Sequence, residues 1–157
     1  MPSLTPFLWF NTQAEEAMNF YIATFPNSRV KSVARYGDAG PGPNGSVMTA
    51  NFELDGKEFI ALNGGPHFQF TEAISFVIDC DGQEESDRYW DRLTSEGGQP
   101  SLCGWLKDKY GVSWQVVPKQ LMALLRDPDP ARAGRATQAM LQMKKIDIAA
   151  LEKAANG

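Results

Sequence analysis

The chain has 157 residues, 43% hydrophobic and 22% charged, a composition typical of one globular domain. Its net charge of −4 disfavours nucleic acid and anionic membranes as partners, because both attract basic proteins. Two cysteines provide no disulfide framework, and no apolar run approaches the roughly 20 residues that cross a bilayer. The stretch MPSLTPFLWF lacks a secretory signal pattern. We therefore expect a cytoplasmic protein with no nucleic-acid or membrane partner.

The first predicted elements are a short apolar strand, TPFLWF, and a helix that starts in FNTQAEEAMNFY. Thr12 and Glu15 have the spacing of a capping box, which predicts a helix start at Thr12. SRVKSVARY and VMTANFEL are predicted strands on either side of the glycine- and proline-rich loop GDAGPGPNGS. Asp55–Gly56 then predicts a two-residue hairpin leading into KEFIALNG.

The same features recur later in the chain at one constant offset, which indicates an internal duplication. Asp81 and Glu84 repeat the cap spacing of Thr12 and Glu15, and Tyr89–Trp90 repeats the aromatic pair Phe20–Tyr21. Four acidic residues fall in the first turns of these helices, and their repeated cap spacing assigns them to the helix starts: Glu15, Glu16, Glu84 and Glu85.

Strands surround the second helix as they surround the first. AISFVID precedes it, Gly97–Gly98 should stop it, and PSLCGWLKD and VSWQVVP follow. We therefore predict an α+β fold with two βαβββ modules, residues 3–64 and 72–118, within a single domain of residues 1–157.

Residues 119–157 are predicted to form a helical C-terminal extension. Asp129–Pro130 supplies an N-cap followed by proline at the first helical position. Asp147 caps the last helix, with Ile146 and Leu151 at the spacing of a hydrophobic staple. We expect the extension to pack across the sheet or on a partner subunit.

Seven ordered motifs carry a family resemblance: PFLWF (6–10), EEAMNFY (15–21), FPNS (25–28), LNGGPHFQF (62–70), SFVIDC (75–80), CGWLKDKYGVSWQVVP (103–118) and IDIAALEKA (146–154). They resemble the PhnB-like family, often labelled demethylubiquinone methyltransferase-like. This family is a branch of the vicinal-oxygen-chelate superfamily, with glyoxalase I, extradiol dioxygenases, and fosfomycin- and bleomycin-resistance proteins. The resemblance implies a curved open sheet in each module, a cavity on the concave face, and a homodimer.

Metal-dependent members of that superfamily carry ligands at positions that fall here on Thr5, Ala61, Ala73 and Gln115. Gln115 alone is a plausible ligand type, whereas a divalent metal usually needs at least three protein donors. We therefore expect no metal and no other cofactor, which disfavours glyoxalase and dioxygenase chemistry. Methyltransferase chemistry is also disfavoured, because a Rossmann-like site needs a glycine-rich turn leading into a helix, and GDAGPGPNGS leads into a strand.

Strand alternation predicts which side chains line the cavity. If Gln115 faces it, Ser113 and Val117 do too, while Trp114 and Val116 face the helices. The predicted lining is Phe7, Trp9, Phe59, Ala61, Asn63, Ser75 and Gln115, with Leu8 and Phe10 under the first helix. A filled core without a cavity is the alternative, and the facing of Trp105 and Lys107 stays open.

Two residues are candidates for catalysis. His67, the single histidine, is either a general base at the cavity rim or a loop residue packed on Phe68 or Phe70. Cys103 is a nucleophile if Lys107 or Lys109 lowers its pKa, and otherwise a small buried hydrophobe, as Cys80 is expected to be. The sequence therefore favours metal-free binding of a small molecule, and the alternative is an enzyme of unassigned reaction that uses Cys103 or His67.

Overall fold

A computed structural model describes residues 2–157, which form two compact units, one ending at Phe70 and the other running from Thr71 to Gly157. Within these residues lie two four-stranded sheets and five α-helices. Each unit has the order strand–helix–strand–strand–strand, and the second continues into three helices. The predicted α+β fold with two βαβββ modules and a helical extension is confirmed. The exact module limits and the single domain stay predictions.

The first unit contains β1 (Phe7–Phe10), α1 (Ala14–Thr24), β2 (Arg29–Arg35), β3 (Val47–Leu54) and β4 (Lys57–Asn63). Its sheet has the order β1-β4-β3-β2, with β1 parallel to β4 and the other pairs antiparallel. Helix α1 packs on β3 and β4 and buries Ala17 and Tyr21 against that face of the sheet. Asp55 and Gly56 have φ values of 48° and 77°, so the predicted two-residue hairpin is confirmed.

The second unit contains β5 (Phe76–Cys80), α2 (Gln83–Leu93), β6 (Gln99–Pro100), β7 (Trp105–Lys107) and β8 (Ser113–Pro118). Its sheet has the matching order β5-β8-β7-β6, with β5 parallel to β8. Helix α2 packs on β5, β7 and β8. Trp114 and Val116 alternate with Gln115 along β8 and are buried, although burial alone does not separate the two sides because Ser113 and Val117 are buried too.

Neither predicted capping box forms. Helix α1 begins at Ala14, and its first amide donates to Oδ1 of Asn63, 2.8 Å away at the end of β4. Helix α2 begins at Gln83 after Gly82, and the Asp81 amide donates to the Glu85 carboxylate. The cap predictions at Thr12 and Asp81 are therefore wrong, because each helix starts later than its proposed cap and α1 takes its acceptor from a distant strand.

The two halves repeat with slightly different offsets in the helices and the strands. Helices α1 and α2 are equal in length, and Gln83 at the start of α2 corresponds to Ala14 at the start of α1. In the first strands, however, the buried residues Leu8 and Phe10 correspond to Ile78 and Cys80, an offset larger by one position. The turn after β1 spans residues 11–13, whereas the turn after β5 spans residues 81–82. Because the second turn is one residue shorter, the β5 side chains that face α2 lie one position later than the helix offset alone predicts.

The C-terminal extension consists of α3 (Lys119–Leu125), α4 (Pro130–Met140) and α5 (Ile148–Asn156). Asp129 caps α4 by accepting from the Ala131 amide, and Asp147 caps α5 by accepting from the Ala150 amide, so both predicted caps are confirmed. The buried cluster beneath the extension comprises Val117, Leu121, Ile146 and Leu151.

Backbone hydrogen bonds join the extension to the loop between β6 and β7. The amides of Cys103 and Gly104 donate to the carbonyls of Met143 and Lys144, each over 2.8 Å. Gly104 has φ 84°, and a Cβ there would lie 2.8 Å from the Val116 carbonyl oxygen. The loop can therefore approach β8 this closely because residue 104 is glycine.

The Gln83 side chain at the start of α2 provides a second attachment. Its Nε2 donates to the Ile146 carbonyl over 2.9 Å, and its Oε1 accepts from the Ile148 amide over 2.8 Å. The extension is thus fastened to the second unit.

Among the described residues, no helix is both long and apolar enough to span a membrane.

Candidate functional site

The second sheet leaves one face uncovered by α2, and its strand register shows which side chains lie there. Lys107 pairs with Ser113, Trp105 with Gln115, and Val77 with Gln115. Paired residues on neighbouring strands point to the same side of a sheet. Trp105 and Lys107 therefore share a side with Gln115, which settles their facing. We call this side the open face; it carries Val77, Asp79, Trp105, Lys107, Ser113, Gln115 and Val117.

Gln115 and Ser75 meet at the middle of the open face. The Gln115 amide Nε2 donates to Oγ of Ser75 over 2.9 Å, and both side chains are half-buried. Ser75 immediately precedes β5, which runs parallel to β8, so the two residues reach each other across neighbouring strands. Two of the predicted lining residues are thus brought together by the fold of a single unit.

One end of the open face forms a groove of about 730 Å³. The sheet contributes Val77, Asp79, Gln115 and Val117, and α3 contributes Lys119, Met122, Ala123 and Arg126. These α3 positions recur at the spacing of one helical face, while Leu121 belongs to the buried core cluster, against which Met122, Leu124 and Leu125 also pack. We call this the apolar groove, since Val77, Val117 and Met122 supply its walls.

The other end of the open face forms a smaller groove of about 310 Å³, which we call the polar groove. Its lining residues are Glu72, Gln99, Pro100, Ser101, Trp105, Leu106, Lys107 and Ser113. Lys107 Nζ lies 2.6 Å from a Glu72 carboxylate oxygen. The hydrogen bond from Lys107, helped by a backbone hydrogen bond and by charge attraction, lowers the pKa of Glu72.

In the first unit, the alternation predicted for β1 is confirmed, since Leu8 and Phe10 are buried and Phe7 is 55% exposed. Trp9 is half-buried; its indole donates to the Gly65 carbonyl and its ring meets Phe68 edge-on at 4.9 Å. Whether Phe7 and Trp9 bind a ligand stays a prediction.

The predicted facing of β4 is wrong by one residue. Phe59 and Ala61 are buried, Phe59 stacks on Phe52, and Asn63 bonds to α1, so none of the three lines an open cavity. The reason is the parallel register, which pairs Ala61 with buried Leu8 and turns Ile60 and Leu62 to the other side.

Neither candidate catalytic residue has a hydrogen bond to an activating side chain among the contacts of the described residues. Cys103 is half-buried in the loop before β7, and the two lysines that the sequence suggested as its activators form ion pairs, Lys107 with Glu72 and Lys109 with Glu96. His67 is exposed in the loop after β4, residues 64–70 of the first unit.

Cys80 is the second cysteine, and it is buried at the end of β5. Burial raises the pKa of its thiol, because the charged thiolate is disfavoured away from water. Its position agrees with the structural role expected from the sequence.

The sequence did not show that several further residues line the grooves. The strand register was needed to place Val77, Lys107 and Trp105, and the position of α3 was needed to place Met122 and Arg126. The signal available for α3 was its helical spacing, with Lys119, Met122, Ala123 and Arg126 on one face and leucines on the other.

The residues at the implied metal positions do not fit a divalent ion. Ala61 and Ala73 have no donor side chain, which leaves at most the side-chain oxygens of Thr5 and Gln115, fewer than the three protein donors that a divalent ion usually needs. Across residues 2–157, no group of three or more His, Cys, Asp or Glu side chains is placed to hold a metal.

Comparison with known proteins agrees with this architecture. A family model described as 3-demethylubiquinone-9 3-methyltransferase matches residues 2–117. None of the curated protein sequences matches the chain significantly.

Solved structures extend the comparison. The chain is similar to the PhnB protein from Bacillus cereus, with 39% identity and a TM-score of 0.68 over 74% of this chain and 99% of that one. A protein from Pseudomonas aeruginosa has the same fold, with 22% identity and a TM-score of 0.62 over 75% and 98% of the two chains.

A more distant likeness is to the fosfomycin resistance protein FosX from Listeria monocytogenes, whose structure contains Mn(II) and sulfate. It has 13% identity and a TM-score of 0.50 over 73% of this chain and 87% of that one, a likeness of fold alone. The tandem βαβββ units, the family match and the 39% identity together show that the chain belongs to the PhnB-like, 3-demethylubiquinone-9 3-methyltransferase family of the vicinal-oxygen-chelate superfamily.

Proposed function

We propose that the chain binds a small molecule, without a metal, on the open face of its second sheet. The observation that carries this proposal is the Gln115–Ser75 hydrogen bond, which fixes an amide and a hydroxyl beside a groove walled by Val77, Val117 and Met122. Mostly apolar walls with a few fixed polar groups are the usual composition of a small-molecule site.

Helix α3 supports the proposal because it adds a wall to the groove. It begins at Lys119, beyond the residues that the family model matches, and places Met122 and Arg126 in the lining. Arg126 has no ion-pair partner among the described residues, so its guanidinium is available to a ligand. We propose that α3 helps select the ligand of this chain.

The activity in the family description is not part of the proposal. Both sheets are mixed, and in neither described unit does a glycine-rich turn lead from a strand into a helix. The loop at residues 37–46 leads into β3, and Gly64–Gly65 follows β4 without opening a helix. Residues 2–157 therefore offer no turn of the Rossmann type for a methyl-donor nucleotide.

A ligand screen tests binding directly. We expect the screen to identify an amphipathic compound that binds the wild-type chain. At about 100 times its Kd, this compound should raise the melting temperature by a few degrees. Gln115→Leu should abolish that shift, whereas Gln69→Leu, an exposed site in the first unit, should keep it. Equal shifts in both variants would place the ligand elsewhere, and loss of binding after chelation would show that a metal is required.

The enzymatic alternative, with Cys103 or His67, is tested by thiol modification. Buried Cys80 should react slowly in the folded protein, and we expect Cys103 to react no faster than a simple thiol because its neighbouring lysines are paired. A Cys103 reaction many times faster than that of a free thiol would favour the enzyme. We also propose a cytoplasmic homodimer, for which sedimentation equilibrium at micromolar concentration is the direct measurement.

A further inference from the structure

The polar groove contains a buried hydroxyl that has no hydrogen-bond partner among the described residues. Ser113 lines the groove and is 2% exposed, and its Oγ has no hydrogen-bond partner among residues 2–157. An unsatisfied buried hydroxyl is unfavourable, and most such groups in native proteins do find a partner. The Ser113 hydroxyl is therefore suited to receive its partner from a bound molecule.

Ser113 stands in a row of polar side chains that crosses three strands. Gln99 of β6 pairs with Lys107 of β7, and Lys107 pairs with Ser113 of β8. Neighbouring strands lie about 5 Å apart, so the Lys107 ammonium and the Ser113 hydroxyl can donate to one and the same ligand group. The row therefore combines a positive charge with neutral hydrogen-bonding groups on one side of the sheet.

One of the two proposed donors, the Lys107 ammonium, already contacts a carboxylate of the protein. Glu72, from the segment before β5, lies against Lys107 and is 62% exposed in its side chain, and it makes no hydrogen bond to Ser113. An exposed ion pair of this kind contributes little to stability, so a ligand can displace Glu72 at small cost. The Glu72 contact thus shows that the Lys107 ammonium can bind a carboxylate at this position.

We infer that the polar groove binds the oxyanion head group of the ligand, a carboxylate or a phosphate, which accepts from Lys107 and Ser113 and displaces Glu72. This inference rests on the proposed function, since it names the chemical class of the molecule bound on the open face. Ser113 and Val117 are four residues apart on β8, about 13 Å along the strand. An apolar body of that length would reach from the head group, past Trp105 and Gln115, into the apolar groove.

The test is a titration of the full chain with benzoate, acetate and inorganic phosphate, followed by tryptophan fluorescence. Trp105 lines the groove, so Trp105→Phe should remove most of the response. We expect Lys107→Met to weaken benzoate binding about tenfold and Ser113→Ala about fivefold, as loss of a charge-assisted and a neutral hydrogen bond implies.

Glu72→Gln supplies the decisive result. Because it removes the competing carboxylate, it should tighten benzoate binding by about threefold, the strength of an exposed ion pair. A merely structural role of the Glu72–Lys107 pair would predict no change or a loss. The matched control is Glu96→Gln, which breaks the Lys109–Glu96 pair outside the groove and should leave the affinity unchanged. Urea unfolding of every variant establishes that it is folded.

The remaining outcomes separate the possible sources of the head group and the two proposals. Tighter binding of benzoate than of acetate supports a carboxylate with an apolar body, whereas binding of phosphate alone supports a phosphate head group. If no anion binds but neutral compounds still depend on Gln115, the oxyanion inference is overturned and the proposed function stands. If nothing binds in either assay, both are overturned.

Discussion

The two units reach the same strand order by different local devices, and their hairpins show this most clearly. In the first unit, Asp55 and Gly56 connect β3 and β4 in left-handed conformations, and their amides donate to the Ser28 hydroxyl and the Asn27 carbonyl. In the second, the turn between β7 and β8 closes on the buried carboxylate of Asp108. It accepts from the amides of Tyr110 and Val112 and from the Trp114 indole. The duplicated fold therefore constrains the topology more strongly than it constrains the contacts.

The sides of the two sheets that face away from α1 and α2 also differ in polarity. Register pairs Phe7 with Ile60 in the first unit and Val77 with Gln115 in the second, so Gln115 corresponds to an isoleucine. The polar centre of the site is thus a property of one unit. The following predictions test how far the two units differ.

The largest expected effect is at Asp108. Replacing it with alanine leaves the amides of Tyr110 and Val112 and the indole N–H of Trp114 without their acceptor, and should lower the free energy of unfolding by about 3 to 5 kcal/mol. Asp55→Asn is the matched change in the other hairpin, and should cost less than about 0.5 kcal/mol because asparagine tolerates the left-handed conformation. Urea denaturation measures both, and equal losses would refute the contrast.

The next effect concerns the two helix starts. Asn63→Ala removes the acceptor for the Ala14 amide and the donor to the Val47 carbonyl, and should cost about 1 to 2 kcal/mol. Asn63→Asp keeps the acceptor and should recover part of that loss. Gly82→Ala, at the start of α2, has no side-chain cap to remove and should change stability little, since Gly82 is in extended backbone.

A comparable loss at both helix starts would show that the cap from Asn63 is unimportant. Hydrogen exchange of the first-turn amides of α1 distinguishes local fraying from global destabilisation, because the loss of a cap should be largest there.

The smallest effect is the response to acid. Hydrogen bonds from lysines lower the pKa values of Glu72, Asp81 and Glu96 in the second unit, and Arg29 does the same for Glu53 in the first. A folded-state pKa below the unfolded value gives stability that is present at neutral pH and lost as the pH falls below roughly 4.

We therefore expect acid to weaken protection against hydrogen exchange more in the second unit than in the first, after correction for intrinsic rates. Because these carboxylates are exposed, 1 M salt should screen the pairs and reduce the difference between the units. An equal response in both units, or a larger one in the first, would contradict the prediction.

Most local patterns in the sequence predicted the structure correctly, with the capping boxes at Thr12 and Asp81 as the exceptions. The two repeated helices, the Asp55–Gly56 hairpin and the caps at Asp129 and Asp147 are local patterns, and the structure contains them all. The facing of Trp114 and Val116 followed from simple alternation within one strand.

What the sequence did not predict depends on distant residues. The β4 facing was wrong because its register is set by pairing with β1, far away in the chain, and a shorter turn after β5 shifts the repeat by one position. The α1 cap comes from Asn63, at the far end of the same unit. The strand expected over PSLCGWLKD divides at Cys103–Gly104, where Met143 and Lys144 take the backbone amides. Such contacts leave no short-range signal.

The attachment of the extension has a consequence for the order of synthesis. The first unit can complete its sheet as soon as β4 has left the ribosome, because all its strands precede residue 64. The loop at Cys103–Gly104 and the side chain of Gln83 must wait for residues 143–148 before their hydrogen bonds can form. Domains generally fold from the N-terminus as they emerge, so the unit that carries the proposed site matures last.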